Sequence, residues 1–221
     1  MYAHIPSSLN YFPHFASARS ITEAEALLKQ KTSFLNQTSH NNQLKDWIYL
    51  PMSTDNNATN SSSNPRANGS PCNWTGISCN AAGSVTNISI ASSGIQGMLH
   101  EFSFSSFPDL EYLDLSGNEL FYVIPPQISS LSKLQHLDLS NNQFSGRIPP
   151  EIDFINITEL NLGQNNLSGT IPKELGNLKS LVDLDLSTNQ LYGSLPTTLG
   201  DLTNLTTLSL YNNNLFGTLL H

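Results

Sequence analysis

A motif that returns every 23 or 24 residues constrains this chain more than any other feature. Five stretches read Leu-x-x-Leu-x-Leu-x-x-Asn-x-Leu, with Ile or Phe replacing some leucines. They begin at Leu110, Leu134, Ile157, Leu181 and Leu205. The recurring asparagines are Asn118, Asn142, Asn165, Asn189 and Asn213. A weaker copy (Val85, Ile88, Ile90, Ser93, Ile95) precedes them. Self-similarity at such a period marks a solenoid, in which each unit buries its apolar face only by stacking on its neighbours. Within each unit the Leu-x-Leu step has the two-residue period of a strand. It sends Leu113 and Leu115 inward and Asp114 outward. The asparagines are expected to turn inward after the strand, forming a structural ladder that satisfies backbone groups left bare by the bend.

The second half of each unit carries Leu-x-Gly-x-Ile-Pro, as at Leu167–Pro172, with close versions at Phe144–Pro149 and Leu191–Pro196. Gly permits tight backbone geometry there, and Pro blocks extension of the ladder. An apolar-Gly-x-Leu turn follows, as at Leu175–Leu178 and Leu199–Leu202. Some units depart from the pattern. Tyr122 stands where Gly is expected, Glu151–Asn156 is one residue short, and Phe102–Phe107 occupy the return path of the first partial unit. The sequence ends at His221 inside a unit. Leu205, Leu208, Leu210 and Leu215 should therefore form an open apolar end prone to association, as in a fragment of a longer solenoid.

A formal charge of −8 disfavours a nucleic-acid binder, which needs a basic stripe. No stretch approaches the ~18–20 apolar residues of a membrane span. Cys72 and Cys79 flank Trp74, without the further Cys or His ligands a zinc site wants. A disulfide is the favoured reading, and two buried free thiols are the alternative. Asn-x-Ser/Thr sequons begin at Asn36, Asn57, Asn60, Asn68, Asn73, Asn87, Asn156, Asn166 and Asn204. Beside a disulfide they suggest a secretory glycoprotein.

Residues 1–19 lack the basic and apolar regions of a signal peptide, yet Ala16-Ser17-Ala18 has the form of a cleavage site. They are read as a signal-peptide remnant or disordered leader, against a literal cytosolic start. Residues 20–84 read as an N-terminal cap. Thr22-Glu23-Ala24-Glu25 fits a capping box opening a helix to about Asn36, and Leu44 and Trp47 fall on a second short helical piece. Residues 53–70 are nearly devoid of apolar side chains and are expected to form a disordered insertion. Residues 85–221 hold five to six repeats, the last incomplete.

The outward positions of the stacked strands make columns on a concave face. One reads Asn87, Tyr112, His136, Glu159, Asp183, Thr207, and the next reads Ser89, Asp114, Asp138, Asn161, Asp185, Ser209. Rungs ~4.8 Å apart suit an extended peptide. Tyr112, His136, Glu159 and Tyr211 are candidate anchors. Asp114, Asp138 and Asp185 form an acidic stripe that fits a basic ligand, or else simply a solvated position of the repeat; Asn161 and Asp183 are further candidate ligand contacts on the same face. His136 also has the chemistry of a pH switch. No catalytic triad or clustered metal ligands occur at telling spacing, so no catalytic residue, metal or cofactor is assigned.

These repeats resemble the plant-specific class of leucine-rich repeats. Glu25-Ala26-Leu27-Leu28, Leu44-x-x-Trp47 and Cys72-Asn73-Trp74-Thr75-Gly76-Ile77-Ser78-Cys79 resemble the N-terminal cap of plant leucine-rich-repeat receptor-like kinases. The resemblance covers residues 20–221. It implies an α/β fold, a right-handed leucine-rich-repeat solenoid with a parallel concave sheet and a helical N-terminal cap. It also implies a secreted ectodomain at the plasma membrane, tied by one span to a cytoplasmic serine/threonine kinase. Such receptors sense extracellular peptides, hormones or cell-wall fragments and pair with a co-receptor ectodomain. This chain has no Gly-rich loop, H-R-D or D-F-G, so no kinase activity can be placed on it. The expected function is extracellular ligand recognition, by a peptide- or protein-binding module. The alternatives are a secreted inhibitor of a microbial wall-degrading enzyme, similar to polygalacturonase inhibitors, or a truncated receptor decoy in the apoplast.

Overall fold

The computed structural model describes residues 18–34, 44–48, 70–154 and 157–217. Two sheets line the repeat array. The first has seven strands: β1 (Ile77–Cys79), β2 (Val85–Ser89), β4 (Tyr112–Asp114), β6 (His136–Asp138), β8 (Glu159–Asn161), β10 (Asp183–Asp185) and β12 (Thr207–Ser209). β1 runs antiparallel to β2, and each later strand is parallel to the one before it. The second sheet has six short strands: β3 (Gln96–Gly97), β5 (Glu119–Tyr122), β7 (Gln143–Gly146), β9 (Asn166–Gly169), β11 (Gln190–Ser194) and β13 (Asn214–Phe216).

The alternation within each strand fills the interior as the sequence predicts. Leu113, Leu115, Leu137, Leu139, Leu160, Leu162, Leu184 and Leu186 are at most 2% exposed. Leu205, Leu208, Leu210 and Leu215, their counterparts in the last repeat, are only partly buried.

The return path is a row of 3-10 turns. Residues Pro126–Ser130, Pro150–Phe154, Lys173–Asn177 and Thr197–Asp201 each form one. Proline opens every turn for two reasons: its φ is preset and its carbonyl is free. Pro125, Pro149, Pro172 and Pro196 accept from the amides of Ile128, Ile152, Leu175 and Leu199 at 3.1–3.2 Å. Those four side chains then bury against the Leu layers. Gly176 is required where turns stack, because a Cβ there would run into the Thr198 carbonyl.

Helix α1 (Ala18–Ser33) covers the first repeat with Ala24, Leu27 and the following Phe34. Two cap expectations need correction. The helix opens at Ala18, so Thr22 and Glu25 lie inside it and do not form a capping box. Helical geometry continues upstream because Ala18–Ile21 contain no breaker. The segment around Leu44 and Trp47 is a single turn rather than a helix, closed by the Trp47 amide on the Leu44 carbonyl at 3.0 Å. Side chains pin it in place. Trp47 stacks on Trp74 with centroids 5.8 Å apart, and its Nε1 donates to Thr75 O at 2.9 Å. Asp46 accepts from both the amide and the hydroxyl of Thr75.

Cys72 and Cys79 are joined in a disulfide. Gly76, between them, has φ +78°, and a Cβ on it would collide with the Ser89 carbonyl. The capping motif therefore seats directly on β2. The leader (except residues 18 and 19) and the insertion (except Ser70) lie outside the described residues, as do sequons Asn36, Asn57, Asn60, Asn68 and Asn156.

Candidate functional site: the concave sheet

The ladder asparagines hold the sheet in place. Asn165 is typical: Oδ1 accepts from Phe144 N at 3.0 Å, and Nδ2 donates to Leu139 O, Leu162 O and Gly163 O at 3.0–3.2 Å. Asn142, Asn189 and Asn213 repeat this pattern, each bridging to the repeat before it. Asn118 does the same toward Ser93, Ile95 and Ile90. The residue before each ladder position has positive φ: Ser92, Gly117, Asn141, Gln164, Thr188 and Asn212, at +49° to +65°. This left-handed step swings the amide inward. Asn and Gly adopt it readily, but Ser, Gln and β-branched Thr188 do so at a cost.

Strand pairing puts the outward residues in register. Asn87 faces Tyr112, Tyr112 faces His136, His136 faces Glu159, Glu159 faces Asp183 and Asp183 faces Thr207. Three of these side chains form one unit. The Tyr112 and His136 rings stack with centroids 4.0 Å apart and planes 5° off parallel. Glu159 Oε2 lies 2.8 Å from His136 Nδ1, so an ionised Glu159 fixes the tautomer with the proton on Nδ1. His136 Nε2 is then an acceptor, and it has no hydrogen-bond partner among the described residues. Burial, then the charges of Asp114, Glu159 and Asp138, raise the Tyr112 phenol above its ordinary value. The face is thus electronegative at its aromatic rung.

The second column is in register too, but its acids have a local task. Asp114 Oδ1 accepts from the Ser116 amide at 3.0 Å and its hydroxyl at 2.7 Å. Asp138, Asn161 and Asp185 accept in the same way from the amides of Ser140, Gly163 and Ser187, at 2.7–3.1 Å. These bonds end each strand as an Asx turn. The pattern Asp-x-Ser was visible in the sequence and was not read as a turn there. Each aspartate keeps a second oxygen. That of Asp138 accepts from Asn161 Nδ2 at 3.2 Å, and that of Asp114 lies 3.5 Å from Ser89 Oγ. Asp183 lies within 3.5 Å of the Thr206 hydroxyl. Tyr211 sits apart from the aromatic rung, at the far end of the array, 66% exposed. Among the sequons, Asn73, Asn166 and Asn204 are exposed, and Asn87 is half-buried on the first concave rung. No group of three or more potential metal ligands occurs among the described residues. No described helix is long and apolar enough to cross a membrane.

Models of the leucine-rich repeat match residues 83–144, 156–178 and 180–202. The fold agrees with them. One chain of the crystal structure of the BIR3–SERK2 complex from Arabidopsis thaliana is 32% identical and superposes with a TM-score of 0.69 over 88% of this chain and 95% of that one.

This chain belongs to the leucine-rich-repeat family.

Its relatives narrow the type. A probable leucine-rich repeat receptor-like protein kinase of Arabidopsis thaliana is 40% identical over 115 residues, which are 52% of this chain and 9% of that protein. The crystal structure of PEPR1 with AtPEP1 is 30% identical with a TM-score of 0.73, over 88% of this chain and 25% of that one. The leucine-rich-repeat chain thus spans a small part of the length of its receptor-kinase relative. Its matched segments are repeats, not a kinase domain. It resembles the extracellular part of plant receptor kinases.

Proposed function

We propose that this chain is the ligand-recognising N-terminal part of a plant receptor-kinase ectodomain, exposed on the outer side of the plasma membrane. Residues 20–84 close one end of the solenoid, and the strands from β2 to β12 offer the binding face. The ligand is an extended peptide or a protein segment lying across the rungs, and a co-receptor ectodomain completes the complex.

The observation that carries this reading is the Tyr112–His136–Glu159 unit. A flat aromatic surface already stacked and tethered loses little conformational freedom on binding, and such residues anchor interfaces. The relatives support it: they include a receptor-like protein kinase and PEPR1 in complex with AtPEP1.

The test is selection of a random peptide library on the immobilised chain, counter-screened on a Tyr112→Ala/Glu159→Ala variant. The reading expects enriched peptides to bind the variant at least tenfold more weakly. Enriched peptides that bind both proteins equally would contradict it.

A further inference from the structure

Glu23 is a charged residue type in a place where burial is complete. It lies on α1 with 0% exposure, on the stripe that also carries Leu27, Gln30 and Phe34. Both of its carboxyl oxygens converge on one amide, that of Val85, at 3.1 and 3.2 Å. Val85 opens β2, the first strand of the repeat array. The carboxyl group therefore sits in the joint between the helical cap and the repeats.

The charges around it do not neutralise it. Arg19, one turn earlier on α1, is drawn to Asp109, with Nη1 and Oδ2 at 2.7 Å. Asp109, in the turn before β4, also binds Lys133 from the turn before β6. Asp109 repels a charge on Glu23, while Arg19 and the Val85 amide favour one. Burial, reinforced by Asp109, outweighs the Val85 amide and Arg19 and pushes the Glu23 carboxyl up from 4.5 to about 7. Asp109 itself stays ionised in this range, because the Lys133 hydrogen bond holds it below its ordinary 3.8.

We infer that Glu23 is a pH-sensitive latch: protonated, it fastens the helical cap onto the first repeat, and ionised, it loosens that joint. The sign follows from linkage. Below about pH 4.5 the carboxyl is protonated whether or not the cap is docked. As the pH rises toward 7, an undocked Glu23 ionises while a docked one keeps its proton, so docking weakens steadily. Above about pH 7 both forms are charged and the effect levels off. Between pH 5.0 and 7.5 the docking equilibrium should fall roughly 50-fold. An extracellular protein in a mildly acidic medium would therefore have its cap closed, and a rise toward neutrality would open the end of the solenoid that Asn87 and Tyr112 adjoin.

The experiment is native-state hydrogen exchange on the whole chain, comparing wild type with Glu23→Gln. Protection factors remove the intrinsic pH dependence of exchange. In wild type the α1 amides should lose roughly 50-fold protection between pH 5.0 and 7.5 while β8 keeps its own. In Glu23→Gln the α1 protection should be flat with pH. His100, 3.1 Å from Glu101 beside the other end of α1, is the same in both proteins, so their difference isolates Glu23. A flat wild-type profile, or an equal fall in the variant, would overturn the inference. If Glu23→Gln does not fold, Asp109→Asn is the second probe. It removes a repelling charge and frees Arg19, so the midpoint of the wild-type fall should move to lower pH. An unmoved midpoint would equally overturn it.

Discussion

Replacing Asn165 by alanine should destabilise the chain by about 2–4 kcal/mol, and the ladder geometry explains the size. Asn165 is 8% exposed. The change strands the Phe144 amide, which donates to Oδ1 at 3.0 Å, and removes the donors that reach Leu139 O at 3.0 Å and Leu162 O and Gly163 O at 3.2 Å. A stranded buried amide alone costs roughly 1–3 kcal/mol, and the carbonyls add to it. Asn213 makes the same contacts, to Leu191 N at 3.0 Å and Leu186 O at 2.9 Å, but it is only half-buried in the last repeat. Water can replace its partners, so Asn213→Ala should cost about 0.5–1.5 kcal/mol. Asn165→Asp keeps the acceptor and points a carboxylate oxygen at three carbonyls, so it should cost at least as much as alanine. Urea unfolding followed by circular dichroism gives all three differences. Equal costs for the two alanine variants, or a tolerated Asn165→Asp, would refute the ladder argument.

Other outcomes follow from the same structure. Gly176→Ala should lower stability by about 1–3 kcal/mol, read as a fall in Tm, because its Cβ meets the Thr198 backbone. Tyr122 is 57% exposed at φ +75°, where other repeats place Gly146, Gly169 and Gly193. Tyr122→Gly should therefore raise stability by up to about 1 kcal/mol, whereas an ordinary strand Tyr→Gly would lower it. Cys72→Ser with Cys79→Ser opens a loop spanning a sequence separation of 7 and should cost the cap about 2.5 kcal/mol, seen as earlier loss of Trp47 and Trp74 fluorescence in urea.

Much of this architecture is written in periods that can be read directly. A two-residue alternation sends Leu137 in and Asp138 out, and the repeat length puts Tyr112 beside His136, so the columns needed no coordinates. What the columns could not convey is side-chain direction. That Glu159 turns to His136, while Asp138 and Asp185 turn back to the amides two residues on, depends on rotamers and on the Asx turn. The positive φ at Thr188 was hidden for a different reason: its side chain disfavours that region, and the tertiary bend overrides the preference. The cap was harder still. A Thr-x-x-Glu pattern suggested a helix start at Thr22, but local propensity carried the helix back to Ala18. Glu23 was overlooked although its spacing to Leu27, Gln30 and Phe34 places it on the buried stripe; a carboxylate at such a position is the signal.

The most direct measurement is site-specific photocrosslinking to a selected peptide ligand. A benzophenone side chain would replace Tyr112 on the concave sheet or the exposed Tyr192 on the second sheet. Ligand recognition by the concave face predicts crosslinking from position 112 and none from position 192. Crosslinking from 192 alone would place the ligand on the other sheet and contradict it.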